Sequence, residues 1–184
     1  MSDETNSQSD KQNSIPNYQS GDILYEISKS EYEHEKNRTT VIDSKANIVL
    51  SLCSAFLVII TQVINLKKLC DVEIQTFFDC LIPATLFLLI CGSTVLSFVS
   101  LILLLRVIFT KQYCAIDSNY FNDIEKLKNE KQLFYIATAQ FYIEATTYNK
   151  NVNDKRISLY QRGLVLLVFS IFLFILFVSL ESFI

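Results

Sequence analysis

Three long runs without a single Asp, Glu, Lys or Arg constrain this chain more than anything else in it: Ala46 to Leu66, Leu81 to Leu105, and Leu164 to Leu180. A helix needs about 20 apolar residues, in a range of roughly 17 to 25, to cross a hydrocarbon core, and each run meets that length. The runs are continuous rather than alternating, so they read as helices and not as barrel strands. Lipid offers no water to satisfy an open backbone, which leaves the helix as the form such a segment takes. The expected fold is therefore an all-α membrane protein with three transmembrane helices and a cytoplasmic helical extension. Charged residues make up only 19% of the 184 residues, low for a soluble domain of that length.

The first run begins after about 45 residues of polar chain, which excludes a cleavable signal peptide. The second holds Cys91-Gly92-Ser93 near its middle. A re-entrant hairpin broken there would leave halves of roughly a dozen residues, too short to span, so one tilted helix is the simpler reading. Residues 1–20, rich in Ser, Asn, Gln and Asp, read as a disordered tail. From there the expected order is a cytoplasmic helix over 22–45, a span over 46–66, an outer loop over 67–80, a span over 81–105, a cytoplasmic helical segment over 106–162 and a span over 163–181. With neither Gly nor Pro from Asp22 to Lys68 the cytoplasmic helix can run straight into the first span, but an unbroken rod would be about 70 Å long, so a break between Ser28 and Thr40 is the alternative expectation.

Lys and Arg resist translocation, and 14 of the 16 lie in the amino-terminal segment or between Arg106 and Arg162. Both segments should face the cytoplasm across a plasma, or inner, membrane, with the carboxyl terminus outside. A formal charge of −3 argues against nucleic acid as a partner. Cys53 and Cys91 read as packing residues within helices. Cys70 and Cys80 flank the outer loop, where an oxidising exterior permits a disulfide. No Cys/His spacing fits a metal site, and His34 sits in a highly charged stretch. With no nucleophile motif, no Gly-rich phosphate loop and only three glycines, neither an enzyme nor a cofactor is expected.

Within the long inner segment Phe134, Ala137, Phe141, Ala145, Tyr148, Val152 and Leu159 recur at three- and four-residue steps, with Leu133, Ile136 and Ile143 widening the face. An amphipathic helix follows, feeding the third span through Gly163 as a permissive joint. Asp117-Ser118-Asn119 offers caps for a shorter helix through Phe121, Ile124 and Leu127.

Polar atoms inside the runs suggest how the spans meet. Asn47, Ser51, Ser54, Thr61 and Asn65 continue from Asp43 along one side of the first span, and Ser93, Ser97 and Ser100 share a side of the second. Where every surface is oily, such stripes rather than hydrophobicity select contacts. The first and second spans should pack on them, within a subunit or between copies in a homo-oligomer; a water-lined path is the alternative. The third span, with Ser170 and Ser179 among many phenylalanines, should face lipid or pack without hydrogen bonds. Lys45 can snorkel at the threshold. Asp43 needs a partner there, and Arg156, Lys155 and Arg38 are the candidates.

The segment Arg38-Thr-Thr-Val-Ile-Asp43-Ser-Lys45-Ala46, passing straight into an apolar run, resembles the membrane-effector domain of bacterial Pycsar anti-phage systems and related small transmembrane effectors, loosely over residues 32–180. The resemblance implies an inner-membrane protein that assembles on a nucleotide signal and compromises the bilayer. This chain departs from the self-sensing members, which carry a cyclic-nucleotide-binding domain for which the tail and first helix leave no room. A signal would then come from a separate cytoplasmic sensor or nucleotide cyclase partner, bind between the cytoplasmic helices, or be absent. The competing expectation is a membrane anchor or adaptor whose inner helices recruit another protein.

Overall fold

The computed structural model describes residues 20–63, 77–110, 113–116 and 131–182, with side chains from residue 81 onward in the second of these segments. Asn65, Cys70, Cys80, the tail before Ser20, the outer loop and the capped helix expected after Asp117 lie outside the described residues. Among the described residues there are three α-helices, α1 (Gly21–Val63), α2 (Phe77–Phe109) and α3 (Lys131–Glu181), and no strand. Each helix is long and apolar enough to cross a membrane.

Seven-residue bookkeeping explains why the three pack as one bundle. On α1, Gly21, Ser28, Glu35, Ile42 and Val49 are buried at steps of seven, and Ala46, Cys53 and Ile60 repeat at the same step four residues on. On α2 the buried set is Leu86, Ile90, Ser93, Ser97, Ser100, Leu104 and Val107, alternating steps of four and three. Asn149, Asn153, Arg156, Gly163, Leu167, Ser170 and Phe177 do the same on α3 once half-buried Tyr160 and Phe174 fill the register. A sustained 3.5-residue period is the signature of helices winding round one another with a left-handed supercoil. The register runs unbroken from the polar half of α1 and α3 into their apolar halves.

Contacts fix the directions. Ile42 meets Val107, Val49 meets Leu104 and Ile60 meets Leu86 and Ile90, so α2 is antiparallel to α1. Leu167 packs with Leu104 and Phe177 with Leu86 and Ile90, which makes α3 parallel to α1. Beyond the end of α2 the polar halves of α1 and α3 continue as a pair, with Tyr25 stacked on Tyr135 at 5.3 Å and Tyr32 edge-on to Tyr142 at 5.4 Å.

Four expectations are corrected. The helix α1 has no break between Ser28 and Thr40, because Ser28 and Glu35 are themselves seam residues held against α3. Gly163 is no joint: α3 runs through it, and its missing side chain admits Leu104, whose Cγ would stand only 3.2 Å from an added Cβ. Cys91 faces outward, while Cys53 is fully buried. The inner face of α3 is not the apolar one: Thr138, Ala145, Asn149 and Asn153 are buried, whereas Phe141 and Tyr148 are 39% and 45% exposed. Amides won the inward positions because partners for their hydrogen bonds exist there.

Candidate functional site

The boundary between polar and apolar halves holds the densest chemistry in the structure. Arg156, 2% exposed, projects from the α3 seam at the level where α2 ends. Its Nε donates to the Val107 carbonyl at 2.9 Å, and Nη2 donates to Oδ1 of Asp43 on α1. Val107 O is one of the last carbonyls of α2, which have no partner within their own helix, so a buried cation there both caps the helix and meets its negative end. One guanidinium thus joins all three helices. Taking such a group out of water is costly unless its charge and its donors are matched, and here both are.

A second layer lies one to two turns further into the polar half. Glu35 is buried and accepts from Arg38 Nη1 at 3.1 Å and from Asn153 Nδ2 at 2.9 Å; Asn153 Nδ2 also reaches the Glu35 carbonyl at 3.2 Å. Thr39 donates to Asn153 Oδ1 at 3.1 Å. Arg38 extends to Asp154 at 2.6 Å, a carboxylate 52% exposed, so this outer pair adds little to stability. Burial lowers the Arg38 pKa, but the bonds to Asp154 and Glu35 outweigh it and hold the group above its ordinary value.

Asn149 clamps the segment after α2. Its Oδ1 accepts from the Cys114 amide at 2.8 Å and its Nδ2 donates to the Cys114 carbonyl at 3.1 Å, the pairing a neighbouring strand would make. Asp43, Arg156, Asn149, Asn153, Thr39 and Tyr113 surround a cavity of about 130 Å³. The buried Tyr113 hydroxyl has no well-aligned hydrogen-bond partner. Burial, and next the nearby Tyr32 hydroxyl, push its pKa up.

Of the expected threshold residues, the structure brings Asp43 and Arg156 together. It gives Arg38 to Glu35 and Asp154 instead, and leaves Lys45 and Lys155 exposed. The polar stripe of α1 is divided from that of α2. Asn47, Ser51, Ser54 and Thr61 point out of the bundle, and the three hydroxyls donate to carbonyls one turn back: Ser51 to Asn47 at 3.0 Å, Ser54 to Leu50 at 2.9 Å, Thr61 to Val58 at 2.7 Å. A hydroxyl satisfied by its own helix needs no second helix, which is why this stripe did not direct packing inside the chain.

Ser93, Ser97 and Ser100 are fully buried, but their partner is α3, not α1 as expected. Ser97 Oγ lies 2.6 Å from Ser170 Oγ, Ser170 donates to the Ser93 carbonyl at 2.7 Å, and Ser100 donates to the Gly163 carbonyl at 2.7 Å. The expectation that α3 packs without hydrogen bonds is therefore overturned. From α1, Cys53 Sγ reaches the Ser97 carbonyl at 3.5 Å. Sequence reasoning missed Glu35, Asn149, Asn153 and Ser170, all of which the seven-residue register would have found. Among the described residues no group of His, Cys, Asp and Glu could hold a metal ion.

Comparisons with protein-family models, with curated proteins and with solved structures return no match.

Proposed function

We propose that this chain is an integral inner-membrane effector of a bacterial anti-phage system, one that assembles into a homo-oligomer and perturbs membrane integrity when triggered. The observation that carries the reading is the outward polar stripe of α1. Its hydroxyls are satisfied internally, but the exposed Asn47 amide makes no side-chain hydrogen bond within the described chain. An amide facing lipid is costly, and a second copy presenting the same stripe removes that cost. Two or more copies apposed on Asn47, Ser51, Ser54 and Thr61 form either a polar interface or, with more subunits, a wettable path.

The charge asymmetry along the sequence supports a cytoplasmic polar half, where a sensor or cyclase partner would act on it. Arg156 stands between that half and the spans. Displacing it there breaks its link to Asp43 and frees the Val107 carbonyl near the end of α2 in one step, which makes it the point where a signal received by α1 and α3 reaches all three spans.

A second reading, the anchor or adaptor, is favoured by one observation of its own. Ile23, Ile27 and Ile143 are 59%, 58% and 45% exposed in the polar half, beside an open groove between α1 and α3. Inducible expression separates the two. Loss of membrane potential, read with a voltage-sensitive dye and abolished together with the oligomer band on native gels by Asn47→Leu plus Ser51→Leu, supports the effector. A monomer that leaves the potential intact even when its cognate trigger is supplied, and that copurifies one protein lost on Ile27→Glu, supports the adaptor.

A further inference from the structure

The helices α2 and α3 approach closely at Gly163, where an added Cβ would stand 3.6 Å from Leu103 Cβ and 3.2 Å from Leu104 Cγ. Beside that crossing an open groove of about 420 Å³ is lined by Leu103, Val165 and Leu166 and by apolar atoms of Gln161 and Arg162. Arg106 stands one turn from Leu103 on α2, in the direction of the Arg156 layer. Arg162 and Arg106 are both exposed, and neither forms an ion pair among the described residues. Arg162 lies six residues past Arg156 on α3, hence about 9 Å deeper toward the apolar half.

We infer that this groove is a binding site for one anionic glycerophospholipid, its acyl chain lying along Leu103, Val165 and Leu166 and its headgroup phosphate held by Arg106 and Arg162. The inference rests on the membrane reading above. Two guanidiniums with no ion pair among the described residues, at the edge of an apolar region, need counter-charge, and their forked donors match the oxygens of a phosphodiester. The stem of Arg162 lines the groove and the lining is apolar, a chemistry complementary to a lipid that brings an acyl chain together with its charge. Lys45 on α1 and Lys155 on α3 also border this level and are exposed, but neither lines this groove.

The full chain, extracted in detergent, is incubated with equal amounts of phosphatidylglycerol and phosphatidylcholine, and retained lipid is counted by native mass spectrometry. A cation near an anionic lipid surface contributes about fivefold in affinity, so Arg106→Gln with Arg162→Gln should cut the preference for phosphatidylglycerol by about 25-fold. The variant with both arginines changed to lysine should keep most of it. Lys36→Gln with Lys150→Gln removes the same charge elsewhere and should change nothing. Val165→Trp, which fills the groove and spares both arginines, should also reduce retention. Unchanged preference in the double Gln variant, or unchanged retention in Val165→Trp, overturns the site. If instead the chain leaves membranes on an alkaline carbonate wash without detergent, the membrane reading fails, whatever the lipid count.

Discussion

Replacing Asp43 by Leu, Arg156 by Met, and both together tests the boundary pair directly. Arg156 is 2% exposed and Asp43 22%, so the cation is shut off from bulk solvent and the carboxylate is partly in reach of it. Breaking a buried pair by removing one partner costs about 3 to 5 kcal/mol, and the partial exposure of Asp43 places Asp43→Leu near the lower end, at about 3 kcal/mol. Arg156→Met should cost about as much, because it removes the donor to the Val107 carbonyl as well as the cation facing Asp43. The double variant loses the charges along with their desolvation cost, and should return to within about 1 kcal/mol of the parent. For a chain of this length 1 kcal/mol shifts the melting temperature by about 2 to 4 °C, so each single variant should melt about 6 to 12 °C lower. Cys53, fully buried, supplies the readout: with it as the sole cysteine, a thiol-reactive dye reports unfolding in detergent. Losses that simply add in the double variant would show that the two side chains do not act as a pair, and would remove Arg156 as the coupling point.

Ser170→Ala should destabilise by about 1 to 2 kcal/mol, since it unpairs Ser97 and leaves Ser93 short of a partner in an apolar setting, whereas Ser54→Ala and Thr61→Val should stay within about 0.5 kcal/mol; circular-dichroism melts in detergent compare them. Gly163→Leu forces side-chain atoms into Leu104 and should cost about 1 to 3 kcal/mol, with part recovered by Leu104→Ala in the same chain. Tyr113 and Tyr142 both have pKa values pushed above the ordinary 10.0, in each case first by burial. The folded state then holds protons that the unfolded state releases, so their contribution is complete below about pH 10 and is lost as pH rises beyond it. The Tyr113→Phe variant should lack the latest-titrating tyrosinate absorbance and should lose less stability between pH 10 and 11.

Much of the architecture was legible. Three uncharged runs require three helices because lipid allows little else, and Asp43 at the head of the first run announced a partner by its cost alone. The direction of packing was not legible. In the apolar halves every face is equally hydrophobic, so periodic hydrophobicity marks no seam; in the polar half the seam is filled by Glu35, Asn149 and Asn153, residues that sequence patterns assign to solvent. Only the seven-residue spacing persisted through both halves, and it becomes meaningful once the facing helix supplies the hole.

What the amino-acid order determined by itself is the solvent each segment requires, set by transfer free energies that depend on side-chain chemistry and barely on neighbours. The tertiary structure decided which polar atoms find one another. Ser51, Ser54 and Thr61 turn back on their own helix while Ser93, Ser97 and Ser170 interlock, although both sets have the same chemistry. A hydroxyl in lipid has a carbonyl within reach one turn away, and whether it uses a different helix depends on how closely the backbones approach. That distance is set by Gly163, Ala46 and the serines themselves, and it exists only when the helices have come together.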